Sequence, residues 1–443
     1  MLVYEYKLQV TPAQRTAIDE AIRVVQFIRN TCLRLWMDER GIGANDLQIA
    51  CSRLAYEFAF ATRLNSQARQ AAADRVWAAI SRFYANCKAR RPGKKGYPRF
   101  QRDCRSVEYK VTGWKLDPDG KHLTFTDGCG IGRVKLIDSR DLTTFSLEQF
   151  KRVRLIRRAD GYYAQVVLQA ERCVAHVPTG RVVGIDVGLL AYAMDSDGQA
   201  VANPRFIHHV EQQVRRRSQR LSRKSLHHKQ GRKPKQNHAA RQRAKHNKYA
   251  PATPRVLRPV PAPTSPPMAL APAHKPRPQR QSANWHKARG ALAKTYLKLQ
   301  RQREDFARKT ASALVSSHDL IALEDLRIRN LVRNRRLAKV ISDAGWARFR
   351  HWVEYYGRLH GIPVVAVAPH YTSQLCSGCG EVVRKSLSIR THVCPHCGLI
   401  LDRDFIAALL IREAGLARAI QQGVWEAPAQ RVLLSGTVGH TGT

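Results

Sequence analysis

Four cysteines carry a spacing that dictates chemistry. Cys376-Ser-Gly-Cys379 and Cys394-Pro-His-Cys397 are two Cys-x-x-Cys pairs separated by 14 residues, and each is followed by a glycine, Gly380 or Gly398. Two such pairs close a tetrahedral thiolate site, and four thiolates leave no open coordination position, so the expected metal is a structural Zn²⁺ rather than a catalytic one. The glycines suit a turn in which backbone amides approach the sulfurs. His392 and His396 lie nearby but are not needed beside a complete cysteine set. A single thioredoxin-like redox pair is disfavoured, because the second pair matches the first.

Three carboxylates form the second chemical group. Asp186 ends the apolar run VVGID, Glu324 ends LIALE, and Asp404 opens an apolar helical stretch directly after the second cysteine pair. An acid at the end of a buried strand is costly unless it is paired or functional. Read singly, each has a plain structural role: a strand-end turn at Asp186, a helix-start pair at Glu324 and Asp325, and Asp402 as cap of the helix that contains Asp404. Together, in the order strand, strand, helix, they match the way an RNase H-like nuclease assembles its site. Gathered carboxylates repel one another unless divalent cations sit among them, and two Mg²⁺ ions would hold the attacking water and the leaving oxygen of a phosphodiester. Alternation along the strand sends Glu324 and Asp325 to opposite sides, and Glu324 is the expected ligand.

The elements that must position these groups are legible as patterns. Residues 1–10 alternate as a strand, Thr11-Pro12 caps a helix, and helices are expected to about Cys87. KARRPGKKGYPRF (88–100) is a basic loop. Short strands with Asp-Gly-type turns fill 107–172. A buried strand and a second strand follow in 181–201, then a basic helix ending at RRRSQRLSRK, a helix over 284–315, a strand at 319–326, a helix over roughly 343–360 and the strand VVAVA. Residues 225–281 contain no Asp or Glu, and ten of the 21 prolines fall between 251 and 278. That composition cannot bury a core, so a flexible segment is expected there.

Charge narrows the partners. Lys and Arg number 76 against 34 Asp and Glu, a net charge of +42 over 443 residues, which points to a polyanion, above all nucleic acid. Residues 215–248 hold 14 basic residues in 34, and Arg215, Arg216, Arg217, Arg220, Arg223 and Lys224 are the candidate phosphate contacts. Tyr109, Trp114 and Trp285 sit beside lysines and are either base-stacking or core residues. No stretch approaches the length of a membrane span, and no signal-peptide pattern opens the chain, so a cytosolic protein is expected. The remaining cysteines (Cys32, Cys51, Cys87, Cys104, Cys129 and Cys173) read as ordinary thiols.

GIDVGLLAYA (184–193), LEDLRIRNL (323–331), ISDAGWARFRHWVEYY (341–356), TSQLCSGCG (372–380) and CPHCGLILDRDFIAALLI (394–411) resemble the RuvC and zinc-ribbon segments of the TnpB family, transposon-encoded RNA-guided nucleases related to compact type V CRISPR effectors. VYEYKLQVTPAQ, VVQFIRNTC and GYPRF are similar to that family's wedge and recognition domains. The resemblance implies an α/β plus all-β protein: an RNase H-like (RuvC) nuclease domain with an inserted zinc ribbon, preceded by a β-barrel wedge with a helical recognition insertion. The implied boundaries are wedge strand 1–10, recognition helices 11–100, wedge barrel 101–178, RuvC parts 179–224, 282–371 and 401–420, zinc ribbon 372–400, basic insertion 225–281 and tail 421–443. It implies catalysis at Asp186, Glu324 and Asp404 with two Mg²⁺, structural Zn²⁺, a guide RNA derived from the element, double-stranded target DNA, no membrane, and one protein per guide RNA. The family motif carries Asn where this chain has Ile406. A nuclease-inactive RNA-guided repressor and a DDE-type transposase are the alternative readings.

Overall fold

A computed structural model describes residues 1–137, 140–225, 281–386 and 388–426. The chain divides into two units: 1–180 with 355–363, and 181–354 with 364–443. The basic, proline-rich insertion and the tail expected from the sequence fall almost wholly outside the described residues.

In the first unit, strand β1 (Leu2–Gln9) leads into helix α1 (Pro12–Asp38). Thr11 caps it: its hydroxyl accepts from the Gln14 N–H, and the Gln14 side chain accepts from the Thr11 N–H at 2.9 Å. Helices α2 (Ala44–Glu57), α3 (Ala59–Thr62) and α4 (Ser66–Lys88) follow. Then come β2 (Ser106–Tyr109), β3 (Trp114–Leu116), β4 (His122–Phe125), β5 (Gly132–Ile137), β6 (Phe150–Arg158) and β7 (Gly161–Leu168). The β6–β7 hairpin turns at Asp160-Gly161, where Gly161 takes a positive φ. The seven strands form one sheet in the order β2-β6-β7-β1-β5-β4-β3. β2 and β3 are its two edges, so hydrogen bonding among the described residues does not close the expected barrel. Nor is the helical block separate from this sheet. Ile18, Ile22 and Val25 of α1 and Val76 and Ile80 of α4 share a single core with Leu155 and Val166. Tyr109 and Trp114 belong to that core; the Tyr109 hydroxyl donates to Asp127 at 2.7 Å, and the Trp114 indole N–H donates to the Lys110 carbonyl at 2.8 Å. Base stacking is therefore closed to both.

Glu108 is an acid within this sheet, 5% exposed, accepting from Arg152 Nη1 at 2.9 Å and Arg154 Nε at 2.8 Å. Burial alone would push its carboxyl up, but the Arg154 and Arg152 guanidiniums outweigh that and hold it below the ordinary carboxylate range. A depressed folded value contributes stability above the unfolded pKa and loses it as pH falls through the folded one. The unfolding midpoint of the first unit should accordingly drop as pH falls below about 4.5, the ordinary glutamate value. Arg154→Ala should cost about 1–2 kcal/mol at neutral pH and flatten that acid limb, less than a fully buried pair because the guanidiniums are partly exposed. Thermal melts from pH 7 to pH 3 check both.

The second unit is built on β8 (Val182–Val187), β9 (Ala191–Asp195), β10 (Ala200–Ala202), β11 (Leu320–Glu324) and β12 (Val364–Val367). Their order is β10-β9-β8-β11-β12, antiparallel from β10 through β8 and parallel from β8 to β12. Its helices are α5 (Phe206–Lys224), α6 (Ala283–Ser316), α7 (Ile328–Leu331), α8 (Ala338–Ala344), α9 (Trp346–His360), whose residues from Tyr355 on belong to the first unit, and α10 (Arg403–Gln421). The helix expected over roughly 343–360 is α9, and Gly345, at φ +69°, separates it from the short α8 before it. Asp343, 6% exposed, ties three helices together: it accepts from the Ile207 N–H at the start of α5 and from Arg303 Nε of α6 at 2.9 Å.

Helix α10 lies directly on β8 and β11. A Cβ on Gly184 would fall 2.2 Å from the Ala408 carbonyl oxygen and 2.3 Å from the Arg412 nitrogen, and one on Gly415 would fall 2.2 Å from the Ala322 Cβ. Backbone therefore meets backbone where these glycines stand, and this seam sets how closely the helix approaches the strands. Gly184→Ala should cost at least about 3 kcal/mol, since the atoms it strikes are main chain and cannot rotate aside. A thermal melt that left its midpoint unchanged would show that α10 is not seated this closely.

Candidate metal centre and carboxylate site

The thiolate cluster is built from two matching turns. β13 (Thr391–Val393) and β14 (Ile400–Asp402) pair as a hairpin whose loop holds Cys394 and Cys397. A bridge between Leu375 and Val382 brackets Cys376 and Cys379. In each turn the first cysteine's N–H donates to a residue five positions on, Glu381 or Leu399, both at 2.9 Å. Gly380 and Gly398, at φ +76° and +73°, donate back to the Cys376 and Cys394 carbonyls. The glycine amides thus close the turns, and other main-chain amides reach the sulfurs: Gly378 lies 3.4 Å from Cys376 Sγ, Glu381 serves Cys379, His396 and Cys397 serve Cys394, and Leu399 serves Cys397. All four Sγ atoms lie within 4.8 Å of one another, with Cys376–Cys397 at 3.6 Å and Cys379–Cys394 at 3.5 Å. Tetrahedral Zn–S bonds of about 2.3 Å require sulfurs about 3.8 Å apart, so this donor set fits a structural Zn²⁺. His392 is fully buried against Lys385 and stands outside the cluster, as does the exposed His396.

The carboxylates arrive from three elements. Pairing of Ala322 with Gly184 and of Leu323 with Ile185 aligns β8 and β11 in parallel, so alternation puts Gly184, Asp186, Ala322 and Glu324 on the face that α10 covers. Asp402 caps α10, accepting from the Asp404 and Phe405 N–H groups at 2.8 and 3.1 Å. The cap directs Asp404 toward the end of β8: its Oδ2 lies 3.8 Å from where a Cβ on Gly188 would sit. Loss of water, then the charges of Glu324 and Asp404, push the Asp186 carboxyl up to about 7, against a smaller pull from Arg403 and Arg390. Burial raises Glu324 too, partly offset by the Thr372 hydroxyl, which donates to its Oε1 at 2.6 Å. Asp325 turns away and pairs with Arg350 at 2.6 Å.

Two arginines that sequence reasoning passed over hold Asp404. Arg390 Nη1 lies 3.1 Å from both carboxylate oxygens, and Arg403 Nη2 lies 3.2 Å from Oδ1. Arg390 belongs to the ribbon, two turns of chain away from any acid motif, and no local pattern flags it. The three acids do not form a group within 4.8 Å as the thiolates do, although Asp186 feels the charges of both Glu324 and Asp404. Among the described residues, the other group whose ligand atoms all fall within 4.8 Å is Asp117, Asp119 and His122, at the β3–β4 turn, where Arg133 pairs with both aspartates. Ile406 is fully buried, so no polar atom at that position supports Asp404.

Of the basic residues expected to meet phosphate, Arg215, Arg216, Arg220 and Arg223 are exposed along α5, and Lys224 is half-buried. Arg217 does something else. It donates to the Ala291 carbonyl at 2.9 Å and to the Thr295 hydroxyl, binding α5 to α6. No helix among the described residues is long and apolar enough to cross a membrane.

Family models place these segments among known proteins. One described as "Cas12f1-like, TNB domain" matches residues 346–411, and one described as "Probable transposase" matches 273–335. A "Putative RNA-guided DNA endonuclease" of Streptomyces pristinaespiralis is 38% identical over 143 residues, 32% of this chain and 35% of that protein. InsQ of Escherichia coli (strain K12), described in the same words, is 22% identical over 355 residues, 76% of this chain and 72% of its own length. A "TnpB-like protein" of Acanthamoeba polyphaga mimivirus is 27% identical over 148 residues, 32% of this chain and 28% of its own. The chain thus spans about a third of the Streptomyces and mimivirus relatives. A solved Cas12f1–sgRNA–target DNA complex covers 90% of this chain and 81% of its own at 12% identity, with a TM-score of 0.47.

Proposed function

We propose that this chain, similar over its carboxyl-terminal segments to TnpB-type proteins, is a TnpB-family RNA-guided DNA endonuclease of a transposable element. It cuts by divalent-metal-dependent hydrolysis of phosphodiester bonds. The observation that carries this reading is the convergence of Asp186, Glu324 and Asp404 at one end of a mixed five-stranded sheet, from two parallel strands and the helix laid across them. We read that sheet as the RNase H-like (RuvC) unit, interrupted by the ribbon, and the seven-stranded unit as the wedge with its recognition helices.

The residues suit Mg²⁺. The donors are hard carboxylate oxygens, and an aspartate pushed up to about 7, first by burial and then by the charges of Glu324 and Asp404, carries negative charge that a divalent cation neutralises. When bound, two Mg²⁺ ions supply the positive charge that the transition state of phosphodiester hydrolysis needs, and they activate water. The protein contributes position. Asp186 and Glu324 are fixed by strand pairing, Thr372 orients Glu324, and Arg390 and Arg403 hold Asp404 while adding positive charge of their own. Arg390 lies four residues before Cys394, so the thiolate cluster anchors the segment that reaches the acid. The charge of +42 and the exposed arginines of α5 suit a guide RNA and target DNA as partners, one protein to each guide RNA.

The test is cleavage by the protein purified with its bound RNA, after that RNA has been sequenced and a matching DNA supplied with Mg²⁺. Cutting that ribonuclease treatment abolishes supports the reading. Cutting that survives ribonuclease favours a transposase, and guided binding without cutting favours a repressor.

A further inference from the structure

A cavity of about 710 Å³ lies at the carboxyl ends of β8 and β11, lined by Ile185, Val187 and Leu323 from the face opposite α10 and reaching Glu324 at the strand end. Its size falls within the range of sites that bind small organic ligands, and crevices at strand carboxyl ends are where open α/β sheets place them. Ile185 and Leu323 form its floor, and Trp346 and Phe349 of α9 its wall. Glu324 is part of the same lining, so whatever fills the cavity sits beside the carboxylate site. The rim is basic: Arg327 and Arg329 are exposed there, and neither makes an ion pair among the described residues. Trp346 is 8% exposed, and among the described residues its indole N–H meets no acceptor. A buried donor without a partner is costly, and one in a cavity wall is satisfied by a ligand that brings an acceptor.

We propose that this cavity receives one unpaired nucleobase of the DNA strand led to the carboxylates, an inference that rests on the nuclease reading above. A base matches each feature. Its flat faces suit the apolar and aromatic walls, every base carries an edge acceptor for the Trp346 N–H, and its flanking phosphates meet Arg327 and Arg329. An apolar metabolite or a peptide without acidic groups would leave the two rim arginines without a counter-charge. Arg350 contributes less to the rim because Asp325 and Glu354 already pair with it. The base must leave its stack to enter, so the site holds the strand in a single-stranded form next to Glu324.

The test uses full-length protein with its co-purified RNA, carrying Asp186→Asn so that nothing is cut. The probe is a single-stranded DNA of about a dozen nucleotides with 2-aminopurine placed at each position in turn. One position should respond most strongly, and an abasic site there should weaken binding about tenfold, the loss of one stacked base. Ala347 is exposed on α9 at the cavity's edge, so Ala347→Phe fills the space without disturbing the core and should abolish that response. Trp346→Phe keeps the ring, removes the N–H, and should weaken binding several-fold. A response at every position that Ala347→Phe leaves unchanged, or an oligonucleotide that does not bind, overturns the proposal. Failure of the nuclease reading looks different: protein without the Asp186 substitution leaves matched DNA uncut in Mg²⁺ although the probe still responds.

Discussion

On the nuclease reading, Asp186→Asn should abolish cleavage, lowering the rate by about 10³-fold or more, yet make the protein more stable when divalent cations are absent. Both outcomes have one physical origin. Asp186 is pushed up to about 7 by loss of water and by the charges of Glu324 and Asp404. An acid whose folded pKa lies above its unfolded one costs stability as pH rises through the interval between them, here from about 4 to about 7. The amide keeps the shape and removes the charge, so the thermal midpoint at pH 8 should rise by roughly 2–4 °C for each kcal/mol of repulsion relieved. Adding Mg²⁺ should raise the midpoint of the parent protein and leave that of the variant nearly unmoved. Differential scanning calorimetry with and without Mg²⁺ reads this without any cleavage assay. A variant less stable than its parent under metal-free conditions would mean that the three carboxylates do not share one pocket.

Cys394→Ser should remove about one equivalent of zinc, expose residues 372–402 to protease, and reduce cleavage although the thiolates are assigned no part in the chemistry. Structural zinc contributes on the order of 10 kcal/mol to folds as small as this hairpin and its facing turn, which bury few side chains of their own. The loss should reach the carboxylates by a definite route. Arg390 sits between the two cysteine pairs and contacts both oxygens of Asp404 at 3.1 Å. Once the ribbon loosens, that contact goes. Arg390→Ala in a zinc-replete protein should therefore reproduce part of the cleavage defect while leaving the metal content and protease resistance of the ribbon intact. Zinc analysis, limited proteolysis and cleavage measured on the two variants separate the cases; a fully active Cys394→Ser protein that has lost its zinc would sever the ribbon from the chemistry.

The ribbon also explains the placement of a thiolate site immediately before an acid-bearing helix. β14 ends at Asp402, which is at once the last residue of the ribbon hairpin and the cap of α10. The cluster that fixes the hairpin thereby fixes the first turn of the helix and the direction of Asp404.

Local signals in the sequence determined much of this protein. The Thr11-Pro12 cap, the Asp160-Gly161 turn, the two cysteine pairs and the acids that end apolar strands all act within a few residues, through backbone dihedrals, hydrogen bonds and alternation, so the sequence carries them without help from the rest of the chain. The choice of Glu324 over Asp325 belongs here as well, because a strand has only two sides. Only the tertiary structure decided which distant residues meet. Thr372 reaches Glu324 across 48 residues and Arg390 reaches Asp404 across 14. Tyr109 and Trp114 go to the core rather than the surface, Arg217 goes to α6 rather than to phosphate, and the seven strands stay open at two edges. The physical reason is the same in each case. An arginine, a hydroxyl or an aromatic ring has the same local preferences wherever it ends up, and its partner is chosen by the order in which strands pair and by glycines such as Gly184 that let one backbone lie against another.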